Sequence, residues 1–304
     1  MAASAATVKV TYVIITRNRR ADVLENLALL RDQAHPHEVV LVDNGSTDGT
    51  AAAVGKEHPR VRLVANPDNT GVTGGRNAGI AAARDADLLI FADDDAVIRD
   101  KDATATVVAK VAADPTLGIL GFQERSYYDP QVLAQWCYGR RRARDWATRE
   151  FDAWTFPGAG HAIRREVFDQ VGTYPERYFY ACEEVDLSLR ALDAGWRVAY
   201  TPDVKVYHKV SPATRAKFRY YFDLRNNIWL SMRLLPAWYG VARTGGWTLR
   251  ATYLALRNPR HLPRVPAALR DAWRARHEVL KERKPVKKET LQKIWRMRRQ
   301  RKPS

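Results

Sequence analysis

The sequence predicts an α/β fold built on a doubly wound, largely parallel sheet. Over the first 122 residues short, β-branched-rich apolar runs alternate with helical stretches, which is the rhythm of βαβ units. The first four predicted strands each end in a polar loop, the edge at which open α/β sheets bind ligands. The 304 residues are 46% apolar and 28% charged, an ordinary globular composition that excludes collagen-like, low-complexity and wholly disordered chains. A chain of this length buries a sizeable core, as one large α/β domain with an appendage or as two modest domains.

Val8 to Ile15 reads as the first strand, apolar at consecutive positions as buried parallel strands are. A helix follows over Asp22 to Gln33, with Leu24, Leu27, Ala28 and Arg31 at helical spacing. The alternation continues with strands at Glu38 to Val42, Val61 to Ala65, Leu88 to Ala92 and Gly118 to Phe122. Between them lie helices at Thr47 to Glu57, Gly75 to Arg84 and Lys101 to Ala113. Glu124 to Tyr180 is rich in aromatics and arginines and shows no readable period. Glu183 to Asp193 is a helix with Gly195 as its C-terminal cap, followed by two short strands near Arg197 to Tyr200 and Val204 to His208. Beyond Pro212 the chain turns helical and basic, so the expected division is 1–212 and 213–304.

Charge follows the same division. The net +16 comes from 50 Lys and Arg against 34 Asp and Glu. From Lys205 to Ser304 the count is 26 against 5, a net of +21, which leaves −5 for residues 1–204. A basic third of this size calls for a polyanionic partner, either nucleic acid or an anionic membrane. Two cysteines, Cys137 and Cys182, make neither a disulfide framework nor a zinc site, and a reducing, cytoplasmic compartment is expected. The most apolar late stretch, Leu234 to Leu256, carries Arg243 and Arg250, so no membrane-spanning segment is expected. The small polar start, Met1 to Thr7, gives no expectation of a secretory leader.

The strand ends carry the chemistry. Asp93-Asp94-Asp95 repel one another unless a cation or hydrogen-bond donors compensate, and a hard divalent ion shared with substrate phosphates is the economical compensation. A helix-capping cluster or a solvated acidic loop is the competing account. Asp43-Asn44-Gly45-Ser46-Thr47-Asp48 holds turn formers, yet Asp43 closes an apolar strand and can accept from a base or sugar edge, while Ser46 or Thr47 can cap the next helix. The glycine-rich run from Asn69 to Gly79 opens a helix whose free amides and Arg76 suit a phosphate, or it is a structural turn; it is neither a Walker nor a dinucleotide fingerprint. Glu183-Glu184-x-Asp186 complements a helix dipole or supplies a general base. His208, at a strand end, is a packed histidine or the best nitrogen ligand beside the acidic loop.

Thr16-Arg17-Asn18-Arg19, the Asp43 to Asp48 loop, Gly74-Gly75-Arg76-Asn77-Ala78-Gly79, Asp93-Asp94-Asp95, Gly158-Ala159-Gly160-His161-Ala162, Glu183-Glu184-Val185-Asp186-Leu187-Ser188-Leu189-Arg190 and Tyr207-His208 stand in a fixed order. In that order the chain resembles the family 2 glycosyltransferases, over about residues 8–230. The likeness is to the bacterial branch with rhamnosyl- and galactofuranosyltransferases. It implies a GT-A fold and inverting transfer from a nucleotide-diphosphate sugar to a glycan or lipid-linked hydroxyl. By that resemblance Asp43 holds the base with Thr16 and Arg17 nearby. Arg76 faces the diphosphate, Asp93 and Asp94 the ribose side, Asn18, Asn44 and Asn77 belong to the donor-binding set, and Asp95 and His208 bind Mg²⁺ or Mn²⁺. Glu184 matches the catalytic base, with Glu183 in reserve, although Asp is the commoner residue there.

The basic third holds two stripes at helical spacing. Val265, Leu269, Trp273, Arg276 and Leu280 form one; Leu291, Ile294, Trp295 and Met297 form the other, among Lys287, Lys293, Arg296, Arg298, Arg299, Arg301 and Lys302. Such helices lie in a membrane interface or pack on the body with their charges solvated. Phe218 to Asn227 resembles the family's segment after the catalytic region and is expected to line the acceptor side. The expected place is the cytoplasmic, inner face of the plasma membrane. A nucleotidyltransferase on a related fold and a nucleic-acid-binding protein are the alternatives.

Overall fold

A computed structural model describes residues 8–139, 143–209 and 212–300. Met1–Thr7, Arg301 and Lys302, and the side chains of Phe218 and Arg219, lie outside the described residues. The N-terminal elements follow the predicted alternation: β1 (Val10–Thr16), α1 (Arg20–Arg31), β2 (His37–Asn44), α2 (Thr50–Glu57), β3 (Arg62–Asn66), α3 (Gly71–Ala82), β4 (Leu88–Asp93), the two-residue β5 (Ala96–Val97), α4 (Ala103–Ala113) and β6 (Leu117–Ser126). The middle contributes α5 (Ala143–Trp146), β7 (Phe151–Asp152), β8 (Gly160–Arg164) and α6 (Arg165–Val171). Then come α7 (Glu183–Asp193) and a single long strand, β9 (Arg197–His208), where two short ones were expected.

The sheet order is β3-β2-β1-β4-β8-β6-β9-β5, with β7 paired to β9. Pairing from β3 to β4 is parallel. β8, drawn from the stretch without a readable period, then enters antiparallel between β4 and β6. It therefore separates β4 from β6, the next predicted strand. β6 and β9 run parallel with two register shifts, which carries β9 unbroken past Pro202. α3 begins at Gly71, earlier than predicted, and packs hard on the sheet. A Cβ on Gly79 would run into Val13 of β1, so the glycines there serve close approach as well as any loop.

The C-terminal elements are α8 (Pro212–Leu234), α9 (Ala237–Arg257), α10 (Arg264–Arg274), α11 (Arg276–Lys281) and α12 (Lys288–Arg299). Most of the second predicted stripe turns inward; of the first, Val265 is buried and Leu269 half-buried, and the face that α10 and α11 bury is a neighbouring one. Val265, Ala268, Ala272 and Val279 are buried, as are Leu291, Ile294 and Met297, in one cluster with sheet residues such as Val13, Leu89 and Ile163. Each large apolar burial is worth about 1.5–3 kcal/mol, so α12 is held by its apolar face. Trp229 of α8 donates its indole N–H to the Ala272 carbonyl (3.2 Å), and Asp193 accepts from Thr290 (2.7 Å). Trp273 and Leu280 are the members of the first stripe that stay exposed. Among the described residues no helix is long and apolar enough to cross a membrane.

Candidate active site

The parallel strand ends form a rim of matched polar pairs. Thr16 donates its hydroxyl to Asp94 (2.8 Å). Asn18, held at φ +53°, accepts the Thr47 amide (2.7 Å) and donates its own amide to Ser46 Oγ (2.9 Å). Asp43 accepts the Ser46 amide (2.9 Å), and Asp48, rather than Ser46 or Thr47, accepts the first amide of α2 from Thr50 (3.1 Å). Arg17 stands exposed beside this rim.

Two predicted donor contacts have another job. Asn44 donates to the Gly71 carbonyl (2.8 Å) and accepts from Asn66 (2.9 Å) and the Thr70 hydroxyl (2.8 Å). Asn77 donates to the Tyr174 carbonyl (2.8 Å) and accepts the Tyr174 amide (3.0 Å). Both are clamps between loops, because a primary amide matches one backbone donor and one backbone acceptor. His161, fully buried, stacks on Phe91 with centroids 4.9 Å apart and contacts Tyr174 Oη at 3.2 Å; burial holds it well below the usual histidine range.

The acidic wall is different. β5 pairs with the end of β9, Ala96 opposite His208, which lays the imidazole beside Asp95, Nε2 to Oδ1 3.2 Å. Asp93, Asp95 and His208 each offer a ligand atom within 4.8 Å of the others. Asp93, read from the sequence as a ribose-side residue, thus joins the metal-ligating group. Burial, with the Asp95 charge beside it, pushes Asp94 up to about 7 against the pull of Arg19 and Thr16. Burial also raises Asp93. At Asp95 the hydrogen bond and charge of His208, with Arg19, outweigh burial and lower it. Burial acts against the His208 cation, but Asp95 and Glu124 overcome it and raise the imidazole to about 10.

Two participants were missed as site residues. Arg19 reaches Asp95 (2.7 Å) and stands 3.9 Å from Asp94; it was visible in the first motif but not assigned. Glu124, 3% exposed, lies 3.6 Å from His208 Nδ1 and lines the cavity. Its sequence signal is weak: an acid two residues beyond a predicted apolar strand.

Arg76 does not present a free guanidinium. It is 3% exposed and bonds Glu183 (3.2 Å), Asp93 (3.3 Å) and the Gly158 carbonyl (2.8 Å), with Glu184 at 3.9 Å. Its charge holds the acids together, and it lines the cavity they share. Burial raises the Glu183 carboxyl against Arg76. Burial and the Glu183 charge raise Glu184 well above the ordinary carboxylate range. Gly158 makes room for this pair, since a Cβ there would run into Glu184 Oε1. Asp93, Glu124, Glu183 and Glu184 share a cavity of about 550 Å³ with Trp136 and Tyr180.

The pair is delivered by a strained turn. Phe179, Ala181 and Cys182 have φ of 63°, 71° and 72°, each costing on the order of 1–3 kcal/mol. The side-chain amide of Asn226, fully buried, donates to the carbonyls of Tyr178 (3.0 Å), Tyr180 (2.7 Å) and Ala181 (2.8 Å). Hydrogen bonds worth about 0.5–1.5 kcal/mol each offset part of that strain. Within the segment expected on the acceptor side, Asn226 holds the turn and Asp223 lines the cavity.

The family model described as glycosyl transferase family 2 matches residues 11–172, more than half of the chain. The O-antigen chain rhamnosyltransferase WbaN of Salmonella anatum is 24% identical over 64% of this chain, and the chain spans 64% of that relative's length. The N-acetylglucosaminyl-diphospho-decaprenol L-rhamnosyltransferase of Mycobacterium tuberculosis is 29% identical over 86% of this chain and 93% of its own. Among solved structures, the mannosyltransferase PcManGT from Pyrobaculum calidifontis, in complex with GDP-Man and Mn²⁺, is 25% identical with a TM-score of 0.59, covering 88% of this chain and 75% of its own. S. aureus TarS residues 1–349 with UDP-GlcNAc, at 16% identity and a TM-score of 0.62, shares the fold over 91% of this chain and 84% of its own. The mixed sheet with acids at its strand ends is therefore a GT-A fold, the nucleotidyltransferase alternative falls away, and the chain belongs to glycosyl transferase family 2.

Proposed function

We propose that this glycosyltransferase moves a sugar, with inversion, from a nucleoside-diphosphate sugar to a hydroxyl of a glycan or lipid-linked acceptor, with Mg²⁺ or Mn²⁺ bound. One observation carries the reading: Asp93 of the metal-ligating group and the raised carboxyl of Glu184 face one cavity from either side of Arg76. The donor set of Asp93, Asp95 and His208 fits a hard divalent ion, whose carboxylate ligands are completed by phosphate oxygens. Such an ion supplies Lewis acidity to the departing diphosphate. PcManGT, solved with GDP-Man and Mn²⁺, supports both the ion and the donor class.

In this reading Glu184 takes the proton of the acceptor hydroxyl as its oxygen attacks the anomeric carbon. Burial and the neighbouring Glu183 make that carboxylate a stronger base than an exposed one, and Arg76 keeps the pair from separating. Asp43, with Thr16, Arg17 and Asn18 around it, offers the nucleotide its polar end. Glu124 steadies the imidazole of His208 from behind, as outer carboxylates do for histidine ligands. The relatives named as rhamnosyltransferases make nucleotide-activated rhamnose the first donor to try. The test is the melting temperature of the protein against a panel of nucleotide sugars with Mn²⁺, Mg²⁺ or a chelator. One sugar raising it only when the ion is present is the expected result. No response to any sugar, or a response the chelator leaves intact, overturns the reading.

A further inference from the structure

Among the described residues, half of the exposed large apolar side chains lie on α9. Trp238, Val241, Leu249, Tyr253 and Leu256 are 66%, 74%, 74%, 56% and 62% exposed. With Gly245 they recur at intervals of three and four, so they share one face of the helix. The opposite face is used: Gly240, Ala251 and Ala255 are buried. Arg250 and Arg257, exposed, lie on the flank of the open stripe.

The stripe meets a basic cavity at its Trp238 end. Trp295 of α12 stands 6.2 Å from Trp238 and 5.4 Å from Tyr239, centroid to centroid. It lines, with Trp154, Arg298 and Arg299, a cavity of about 480 Å³. An apolar face with an indole at one end, arginines on its flank and two guanidiniums at a neighbouring hollow matches the layers of an anionic leaflet: acyl boundary beside phosphate headgroups.

We infer that α9 lies flat on an anionic bilayer, its apolar stripe at the acyl boundary and Arg298 and Arg299 meeting headgroup phosphates. The anionic cytoplasmic leaflet is the surface of that chemistry. This moves the centre of the expected membrane contact from α12, whose stripe is mostly buried, to the helix between α8 and α10, while Trp273 and Leu280 of the first stripe stay exposed. It rests on the proposed reading for its purpose, a lipid-linked acceptor. α9 is well placed for one: Arg243 bonds Asn227, which donates to the Cys182 sulfur in the cavity wall (3.0 Å).

Flotation of the full chain with phosphatidylcholine vesicles, with and without phosphatidylglycerol, tests the inference. The expected result is flotation with the anionic vesicles and about a hundredfold weaker partitioning of the Leu249→Glu, Leu256→Glu double variant. Equal flotation on neutral vesicles, no flotation at all, or undiminished flotation of the double variant overturns it. A dimer that the double variant dissociates gives the stripe to a second copy, and tight RNA binding without flotation gives the arginines to nucleic acid; either outcome also overturns it. Neither substitution touches the cavity, so metal-dependent donor binding, read separately by melting temperature, tells failure of this inference from failure of the proposed function.

Discussion

The rim above β1, β2 and β3 and the wall from β4 to β9 are both polar, but they are polar in opposite ways. At the rim each donor meets an acceptor: Asn18 with Thr47, Asp48 with Thr50, Asn44 with Gly71 and Asn77 with Tyr174. At the wall, among the described residues, the carboxylates of Asp93, Asp94, Asp95, Glu124, Glu183 and Glu184 meet three cations, Arg19, Arg76 and His208. Closed hydrogen bonding holds a scaffold. A surplus of buried acid is costly to fold and retains its cost until a cation or a proton arrives, so the surplus marks where the chemistry occurs.

The largest break in that contrast is Glu184→Gln. It removes the proposed base and leaves the metal-ligating group, so kcat falls by about a thousandfold while donor binding, measured by the ion-dependent melting shift, persists. Near wild-type turnover would remove Glu184 from the reaction. Next comes Gly158→Ala. The new methyl group displaces Glu184 Oε1, and misplacement of a reacting group by about 1 Å costs about a hundredfold in kcat. The donor KM should hold, and an unchanged kcat would show that the carboxylate has room to move.

Glu183→Gln sharpens the contrast through pH. Glu184 is raised by burial and then by the charge of Glu183, so the base is protonated further up the pH scale than an exposed carboxyl. The ascending limb of kcat therefore begins above the ordinary range. Removing the Glu183 charge lowers Glu184, and the limb moves toward acid. A limb that stays put, or moves toward alkali, means that Glu183 does not tune the base.

The sequence carried the rim and half of the wall, for reasons that differ by residue. β1, β2 and β4 were legible because a buried parallel strand is apolar over consecutive positions, and α7 because Glu183 to Asp193 has both a charged start and Gly195 after it. The acid loop was legible because three adjacent carboxylates are rare without a partner. β8 was not, since the surrounding aromatics obscure any period. Nor could local pattern show that Ala96 pairs with His208, that Arg76 is consumed by acids, or that Asn226 closes on the turn before α7. These are contacts between elements distant in sequence, and periodicity reports only which face of an element is buried.

The smallest expected effect tests the scaffold side. Asn77 lies one residue from Arg76, yet it ties α3 to the loop at Tyr174 through two backbone hydrogen bonds. Asn77→Ala leaves the amide of a buried residue, Tyr174, without its acceptor, a loss of about 1–3 kcal/mol. That loss should appear as a lower denaturant midpoint with an unchanged slope. Tyr174 lies under Arg76, with the guanidinium 5.6 Å from its ring, but Arg76 keeps its bonds to Glu183, Asp93 and Gly158. The kcat, the donor KM and the ion-dependent melting shift should therefore stay within about twofold of wild type, less than the tenfold that 1.4 kcal/mol at the site would produce. If turnover falls while the midpoint holds, Asn77 touches the donor after all, and the line between rim and wall has to be redrawn to include it.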